Sequence, residues 1–199
     1  SLFILVFLFS FIAYCFGIEY YDYSLLIPIS ILVVIGLYDD VYDLDYKLKF
    51  IFQIIAAKII IDNGLIIDNF HGILGVYELN RLFAQLFTIF IILAIINAIN
   101  FSDGIDGLAI TIVGFFIFTF EFFISSSISS PFIYLSIFLA LSIIPLFYFN
   151  FRKKNKVFLG DAGSYFLGGI VAIYVIYICS NNYVIADEYD LNKILFVIS

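Results

Sequence analysis

The stretch that decides the fold reads Leu82-Phe-Ala-Gln-Leu-Phe-Thr-Ile-Phe-Ile-Ile-Leu-Ala-Ile-Ile96 and runs on into Asn97-Ala-Ile-Asn100-Phe-Ser-Asp103-Gly-Ile-Asp106-Gly-Leu-Ala109. Its first part is almost wholly apolar, whereas its second part is polar, acidic and interrupted by glycines. Another apolar run, Leu108–Phe120, follows at once. Two carboxylates and two amides held between such hydrophobic runs are costly unless something binds to them. The stretch therefore predicts a binding site at the end of a membrane helix.

The composition of the whole chain excludes an ordinary soluble domain. Of the 199 residues, 64% are hydrophobic, 21% are aromatic and 13% are charged, and the mean hydropathy is +1.15. A soluble domain is about 45–50% apolar and about 25% charged. Long apolar runs separated by short polar loops are typical of membrane helices, whereas the strands of a membrane barrel would alternate. The sequence predicts an all-α, polytopic transmembrane bundle that forms one integral membrane domain over residues 1–199.

Taking each apolar run as one helix gives about eight helices. A full span needs about 20 residues, so the shorter runs must extend into their polar flanks. Backbone groups find no water in hydrocarbon, which favours a helix even for the short run that carries Gln53 and Lys58. Both chain ends fall inside apolar runs, so we expect a fragment of a longer protein, with its first and last helices truncated. The predicted helices are Leu2–Phe16, Leu25–Tyr38, Leu48–Ile61, Leu82–Ile99, Leu108–Ile124, Phe132–Phe149, Ser164–Cys179 and Leu191 onward.

The basic residues indicate which loops face the cytoplasm. Successive helices alternate in direction, so the loops Asp39–Lys47, Asn100–Gly107 and Asn150–Gly163 share one side. The positive-inside rule assigns this side to the cytoplasm. Every dense polar motif falls on it, which predicts one multi-pass protein of the inner (plasma) membrane with a single cytoplasm-facing site. On or beside this side lie Lys47, Lys49, Arg152, Lys153, Lys154 and Lys156, and on the other lie Arg81 and Lys193.

The first two acidic motifs each place carboxylates close together. Asp39 and Asp40 are adjacent at the end of an apolar run, where a divalent cation or a lysine would relieve their repulsion and their loss of water. Asp103 and Asp106 are three residues apart at a helix start and so share a face. Anchoring of a helix end at the membrane surface explains the first pair, and helix capping explains one aspartate of the second. Neither alternative explains why two asparagines and two glycines lie beside the second pair.

The third motif joins cations to a single acid. The cations are explained by topology alone, but Gly160-Asp161-Ala-Gly163-Ser164 at a helix start is not. Its backbone amides are expected to receive phosphate, and its carboxylate to hold a metal. The predicted cytoplasmic face offers acids, lysines and amides without His or Cys, which favours Mg²⁺, or alternatively Mn²⁺, over zinc. The residues alone therefore predict a Mg²⁺-dependent site that handles phosphate groups at a membrane.

In chain order, the three motifs are Gly36-Leu-Tyr-Asp39-Asp40, the Asn97–Ala109 stretch and Val157-Phe-Leu-Gly160-Asp161-Ala-Gly163-Ser164. Their order and spacing resemble those of the polyprenyl-phosphate N-acetylhexosamine-1-phosphate transferase family, over about residues 28–169. The third motif is more similar to the undecaprenyl-phosphate N-acetylglucosamine-1-phosphate transferase (WecA-like) branch. It is less similar to the phospho-N-acetylmuramoyl-pentapeptide transferase (MraY-like) branch, which stays open as an alternative.

The resemblance implies a reaction and its partners. A UDP-N-acetylhexosamine, UDP-GlcNAc in the favoured branch, would give its sugar 1-phosphate to polyprenyl (undecaprenyl) phosphate and release UMP. This would be the first membrane step of cell-envelope polysaccharide synthesis, with Mg²⁺ as cofactor. No nucleic acid is implied, and a homodimer is left open. The family's His-rich C-terminal loop and its N-terminal motif do not occur in these 199 residues, so we expect them alone to be inactive.

Carried over position by position, the resemblance also implies roles for individual residues. Asp161 would bind the metal, Asp39 and Asp40 would form a catalytic pair, and Lys47 would neutralise phosphate charge. The residues implied on the nucleotide side are Asn100, Asp103, Asp106, Asn150 and, stacked on uracil, Phe158.

Two alternative functions lie outside this family. A CDP-alcohol phosphatidyltransferase also uses Mg²⁺ and an Asp-Gly motif, but its pattern has Ala-Arg after that pair, where this chain has Leu108-Ala-Ile110. A secondary transporter would use aspartates as ion sites near the membrane midplane. Here the aspartates fall at predicted helix ends, which favours the enzyme.

Overall fold

The computed structural model describes residues 23–70, 75–105, 107–125, 132–150 and 159–180, together with Ile4, Phe7 and Leu8. Over these ranges the chain forms α-helices and no strand, apart from one isolated bridge between Asn69 and Glu78. A short 3-10 turn precedes the first helix. The helices are α1 (Leu26–Tyr42), α2 (Tyr46–Asp62), α3 (Arg81–Ser102), α4 (Leu108–Ser125), α5 (Ile133–Asn150) and α6 (Gly160–Cys179).

These six helices confirm six of the eight predicted ones and the all-α class. Four of them, α1 with its preceding turn, α3, α5 and α6, are long and apolar enough to cross a membrane, and α4 has a shorter apolar part. Large side chains such as Phe90, Phe115 and Phe118 point outward and are more than half exposed, as lipid-facing residues do. Of the predicted first helix only three helical residues are described, and the predicted last helix lies outside the described ranges.

Helix α6 is the centre of the bundle, because its glycines let two other helices approach closely. A Cβ at Gly168 would lie 2.9 Å from Ile96 Cα of α3, and one at Gly169 would lie 2.7 Å from Leu32 Cδ1 of α1. In membranes, small residues at such crossings allow the van der Waals packing that holds helices together. Every residue from Ser164 to Ile176 is buried as a result.

The predicted ends of three helices are wrong in the same way. Asn100 was expected in a loop but belongs to α3, which ends only at Ser102. Asp39 and Asp40 were expected in a loop but belong to α1, which ends only at Tyr42. Asp161 was also expected in a loop but lies in the first turn of α6, which begins at Gly160, four residues before the predicted start at Ser164. Polar residues commonly mark the end of a membrane helix because their side chains form hydrogen bonds with water there. Here the side chains find partners on other helices, so the helices continue.

A buried polar contact in α4 accounts for a residue that the sequence left unassigned. Ser136 Oγ of α5 donates to a carboxylate oxygen of Glu121 and lies 2.8 Å from Tyr174 OH of α6. The carboxylate thus bonds directly to α5 and is linked to α6 through Ser136, far along α4 from the acidic motifs. Polar groups within a bundle are stabilised by such interhelical hydrogen bonds.

Candidate active site

One residue of each acidic motif meets the others at one end of the bundle. Asn100 Nδ2 of α3 donates to Asp161 Oδ1 of α6 at 2.7 Å and to Ser164 Oγ at 2.8 Å. The carboxyl groups of Asp39 and Asp161 lie within hydrogen-bonding reach of each other. Residues separated by 61 and more positions along the chain are therefore side by side. We refer to Asp39, Asn100 and Asp161 as the carboxylate cluster.

The first turn of α6 is capped by a carboxylate from α1 and by one from the residue that follows α3. Asp40 accepts from the backbone N–H of Asp161 at 2.8 Å and from that of Ala162 at 3.2 Å. The backbone N–H of Gly160 donates to the Asp103 carboxylate. The first N–H groups of a helix have no partner within it, and a negative charge there is favourable. Two carboxylates thus hold the N–H groups of Gly160, Asp161 and Ala162, and that these amides receive phosphate stays a prediction.

Gly160 is required by this capping arrangement. Its φ is +70°, in the left-handed region that favours glycine. A Cβ at this position would also lie 2.9 Å from Asp40 Oδ2. A side chain would therefore strain the backbone and displace the capping carboxylate together.

The adjacent pair Asp39 and Asp40 is divided between two surroundings. Asp40 is exposed and faces the amides of α6, whereas Asp39 is 5% exposed. Asp39 Oδ1 accepts from Leu44 N at 2.9 Å, and its Oδ2 lies 2.5 Å from Lys49 Nζ. Asp40 therefore caps a helix, whereas Asp39 forms a buried ion pair, although both were predicted to act together as one catalytic pair.

Lys49 is the functional candidate that the sequence reasoning passed over. The resemblance implied Lys47, which is exposed on the first turn of α2, with its Nζ 5.9 Å from the centroid of the Tyr46 ring. Side chains two apart on a helix do not face the same way, so only one of the two lysines reaches Asp39. This helical periodicity is the sequence signal that could have shown that Lys47 and Lys49 do not both reach Asp39. The phosphate-neutralising role of Lys47 stays a prediction.

The remaining predicted residues are placed only in part. Burial raises the pKa of the Asp103 carboxyl, the N–H of Gly160 opposes this effect, and the negative charge of Asp40 adds to it. Asn150 is the last residue of α5 and is 2% exposed. Asp106 and Phe158 lie outside the described residues. The nucleotide-side roles of these four residues stay predictions.

Comparison with known proteins identifies the family of the chain. The sequence model of glycosyl transferase family 4 matches residues 23–179, a range that holds all six helices. The chain belongs to this family.

Named relatives in the family carry related titles. The chain is 35% identical over 147 residues to a probable undecaprenyl-phosphate N-acetylglucosaminyl 1-phosphate transferase of Bacillus subtilis, covering 72% of this chain and 40% of the relative. It is 32% identical over 160 residues to a decaprenyl-phosphate N-acetylglucosaminephosphotransferase of Mycobacterium leprae (75% and 40%). It is 36% identical over 157 residues to a phospho-N-acetylmuramoyl-pentapeptide-transferase of Lactobacillus acidophilus (70% and 46%). The chain thus spans less than half the length of these relatives.

The carboxylate cluster of this family 4 chain suits a hard cation. No group of three Asp, Glu, His or Cys side chains within the described ranges is arranged as a complete metal site. Mg²⁺ does not need one, because it is commonly bound by one or two carboxylates, with waters and substrate phosphates as its other ligands. Asp161 and Asp39 offer two facing carboxyls, and the amide of Asn100 orients the first of them.

An apolar groove of about 430 Å³ opens beside the cluster, between α1 and α2. Tyr38 and Leu48 line it next to Asp39 and Lys49, so the groove begins at the level of the acids. Its remaining lining residues, further along the two helices, are Ser30, Ile31, Val34, Ile35 and Phe52.

Proposed function

We propose that this chain carries catalytic residues of a polyprenyl-phosphate N-acetylhexosamine-1-phosphate transferase. UDP-GlcNAc would donate GlcNAc 1-phosphate to undecaprenyl phosphate, and UMP would leave. The observation that carries this proposal is the carboxylate cluster of Asp39, Asn100 and Asp161, which lies at helix ends beside an apolar groove. The titles of the relatives supply the transferred group and the lipid acceptor.

The chemistry requires two phosphate groups to approach each other. An oxygen of the lipid phosphate attacks the phosphorus that bears the sugar, and a new P–O bond completes the diphosphate. The bond from that phosphorus to the UMP oxygen breaks, and UMP leaves with the electron pair. Both reactants are anionic, so the site must offset negative charge before they can meet.

Several residues of the chain divide this work. Asp161 would hold Mg²⁺, with Asp39 as the second carboxylate, and the bound cation would stabilise charge that develops on the transferred phosphate. Asn100 keeps the Asp161 carboxylate turned toward the cluster. Lys49 offsets the charge of buried Asp39. Exposed Lys47 would neutralise phosphate charge at the mouth of the site.

The apolar groove supports a membrane-borne acceptor. Its walls belong to α1 and α2, and two of its lining residues, Tyr38 and Leu48, are the chain neighbours of Asp39 and Lys49. We propose that the isoprenoid chain of the lipid lies in this groove, with its phosphate at the cluster. The nucleotide sugar would come from the cytoplasm, so the site would face the cytoplasmic side of the plasma membrane.

One of the comparisons supports an alternative donor substrate. The phospho-N-acetylmuramoyl-pentapeptide-transferase of Lactobacillus acidophilus is as similar in sequence as the GlcNAc transferases are. UDP-MurNAc-pentapeptide is therefore the alternative donor for the same cluster.

The test uses the full-length protein in detergent with undecaprenyl phosphate, Mg²⁺ and either UDP-[¹⁴C]GlcNAc or labelled UDP-MurNAc-pentapeptide. We expect a labelled lipid from UDP-GlcNAc, lost in Asp161→Asn and retained in Asp62→Asn. Asp62 is a matched control because it is an exposed aspartate at the opposite end of α2. A labelled lipid from the pentapeptide donor alone would select the second branch. No labelled lipid from either donor, while a known relative is active, would overturn the proposal.

A further inference from the structure

A second polar layer lies one helical turn deeper in the bundle than the carboxylate cluster. Gln53 Nε2 of α2 donates to Asn97 Oδ1 of α3 at 3.3 Å, and Asn97 Nδ2 donates back to Gln53 Oε1 at 2.8 Å. Asn97 Nδ2 also donates to Leu93 O at 2.7 Å. The hydroxyl group of Tyr165 on α6 is hydrogen-bonded to Gln53. Three helices are therefore joined through Gln53, which is 1% exposed.

Each member of this layer is one helical turn from a residue that shapes the site, since side chains three or four apart stack on one helix face. Gln53 follows Lys49 by four positions, Tyr165 follows Asp161 by four, and Asn97 precedes Asn100 by three.

The side-chain amides of Gln53 and Asn97 fix the position of α2 along the axis of α3. An apolar contact tolerates sliding, because any apolar neighbour serves as well as another. A reciprocal amide pair forms at only one placement, and leaving buried amides without hydrogen bonds is unfavourable in an apolar surrounding. The layer thus sets the height of α2 relative to α3 and α6.

We propose that Gln53 is a positioning residue for sugar-phosphate transfer. Through Asn97 and Tyr165 it holds α2 at the height where Lys49 reaches Asp39. It is too deeply buried to contact either substrate. This inference depends on the proposed function, because its main consequence is a change in transfer rate.

The test compares Gln53→Leu, Asn97→Leu, the double variant, and the exchange Gln53→Asn with Asn97→Gln, all in the full-length protein. A misplacement of about 1 Å can cost about 100-fold in rate, so we expect each Leu variant to lower kcat at least about tenfold. The KM for UDP-GlcNAc should change less than about twofold, because no substrate contact is lost. The exchange keeps an amide on each side and should recover kcat to within about threefold of wild type.

A control and an independent measurement keep the outcomes distinct. Gln85→Leu changes the same residue type on α3, far from the site, and should leave kcat within about twofold of wild type. If wild type transfers sugar phosphate and Gln53→Leu does so equally well, the positioning role is overturned. If wild type transfers nothing, the proposed function fails, and the melting temperatures still test the pair. The melting temperature of the double variant should be no lower than that of the less stable single variant. A double variant whose loss of stability equals the sum of the two single losses would overturn the coupling.

Discussion

Replacing Asp40 tests whether a carboxylate on α1 holds the beginning of α6. Asp40→Ala removes the acceptor of two N–H bonds, 2.8 and 3.2 Å long, from the first turn of that helix. Loss of a helix N-cap costs about 0.5–2 kcal/mol. Two bonds and a full negative charge argue for the upper part of this range, and the exposure of Asp40 to solvent argues for the lower part. We therefore expect about 1.4 kcal/mol, which corresponds to about a tenfold change in the local opening equilibrium.

Amide hydrogen exchange in the full-length protein measures this quantity directly. The backbone amides of Asp161 and Ala162 should exchange about tenfold faster in Asp40→Ala, because local opening becomes that much more frequent. Asp39→Ala is the matched control, since it removes the adjacent carboxylate, which makes no bond to these amides. Unchanged exchange in Asp40→Ala, or equal acceleration in Asp39→Ala, would refute the capping argument.

Three further predictions concern packing, charge and the lipid. Gly36→Ala places a Cβ 2.5 Å from a backbone atom of α6 and should cost about 1–3 kcal/mol in thermal unfolding; Gly114→Ala, with its nearest contact at 3.9 Å, should cost little. Lys49→Met should destabilise by about 1.5–3 kcal/mol, because a buried carboxylate loses its cation, whereas Lys47→Met should stay within about 0.5 kcal/mol. Equal losses of stability in Lys49→Met and Lys47→Met would contradict the conclusion that Lys49, and not Lys47, pairs with Asp39. Val34→Trp should fill the apolar groove and raise the KM for undecaprenyl phosphate without raising that for UDP-GlcNAc; a parallel rise in both would place the lipid elsewhere.

Hydrophobic patterning was sufficient to predict the presence of the six helices that the structure describes. Even the run Leu48–Ile61, interrupted by Gln53 and Lys58, forms a helix, because hydrocarbon leaves the backbone no other way to satisfy its N–H and C=O groups. The alternation of loops also predicted that the acidic motifs would meet. Gln53 itself was a reason for doubt in the sequence, and its partner 44 positions away removes that doubt.

The details of the site depend on contacts that local sequence does not record. The end of α1 and the start of α6 were misplaced because Asp40, which caps α6, is 121 positions distant from Asp161. Periodicity indicates that only one of Lys47 and Lys49 faces Asp39, but which of the two does so depends on the angle between α1 and α2. Neither quantity follows from propensity or periodicity, which describe one helix at a time.

The central place of α6 also has a consequence for the order of events during biosynthesis. Synthesis proceeds from the N-terminus, so α6 emerges after the five helices that surround or accompany it. Before then, the faces of α1 and α3 that receive Gly169 and Gly168 lack the helix that covers them. Asp39 and Asn100 cannot yet bind Asp161. The carboxylate cluster therefore cannot form until α6, the last of the six helices in chain order, has been synthesised.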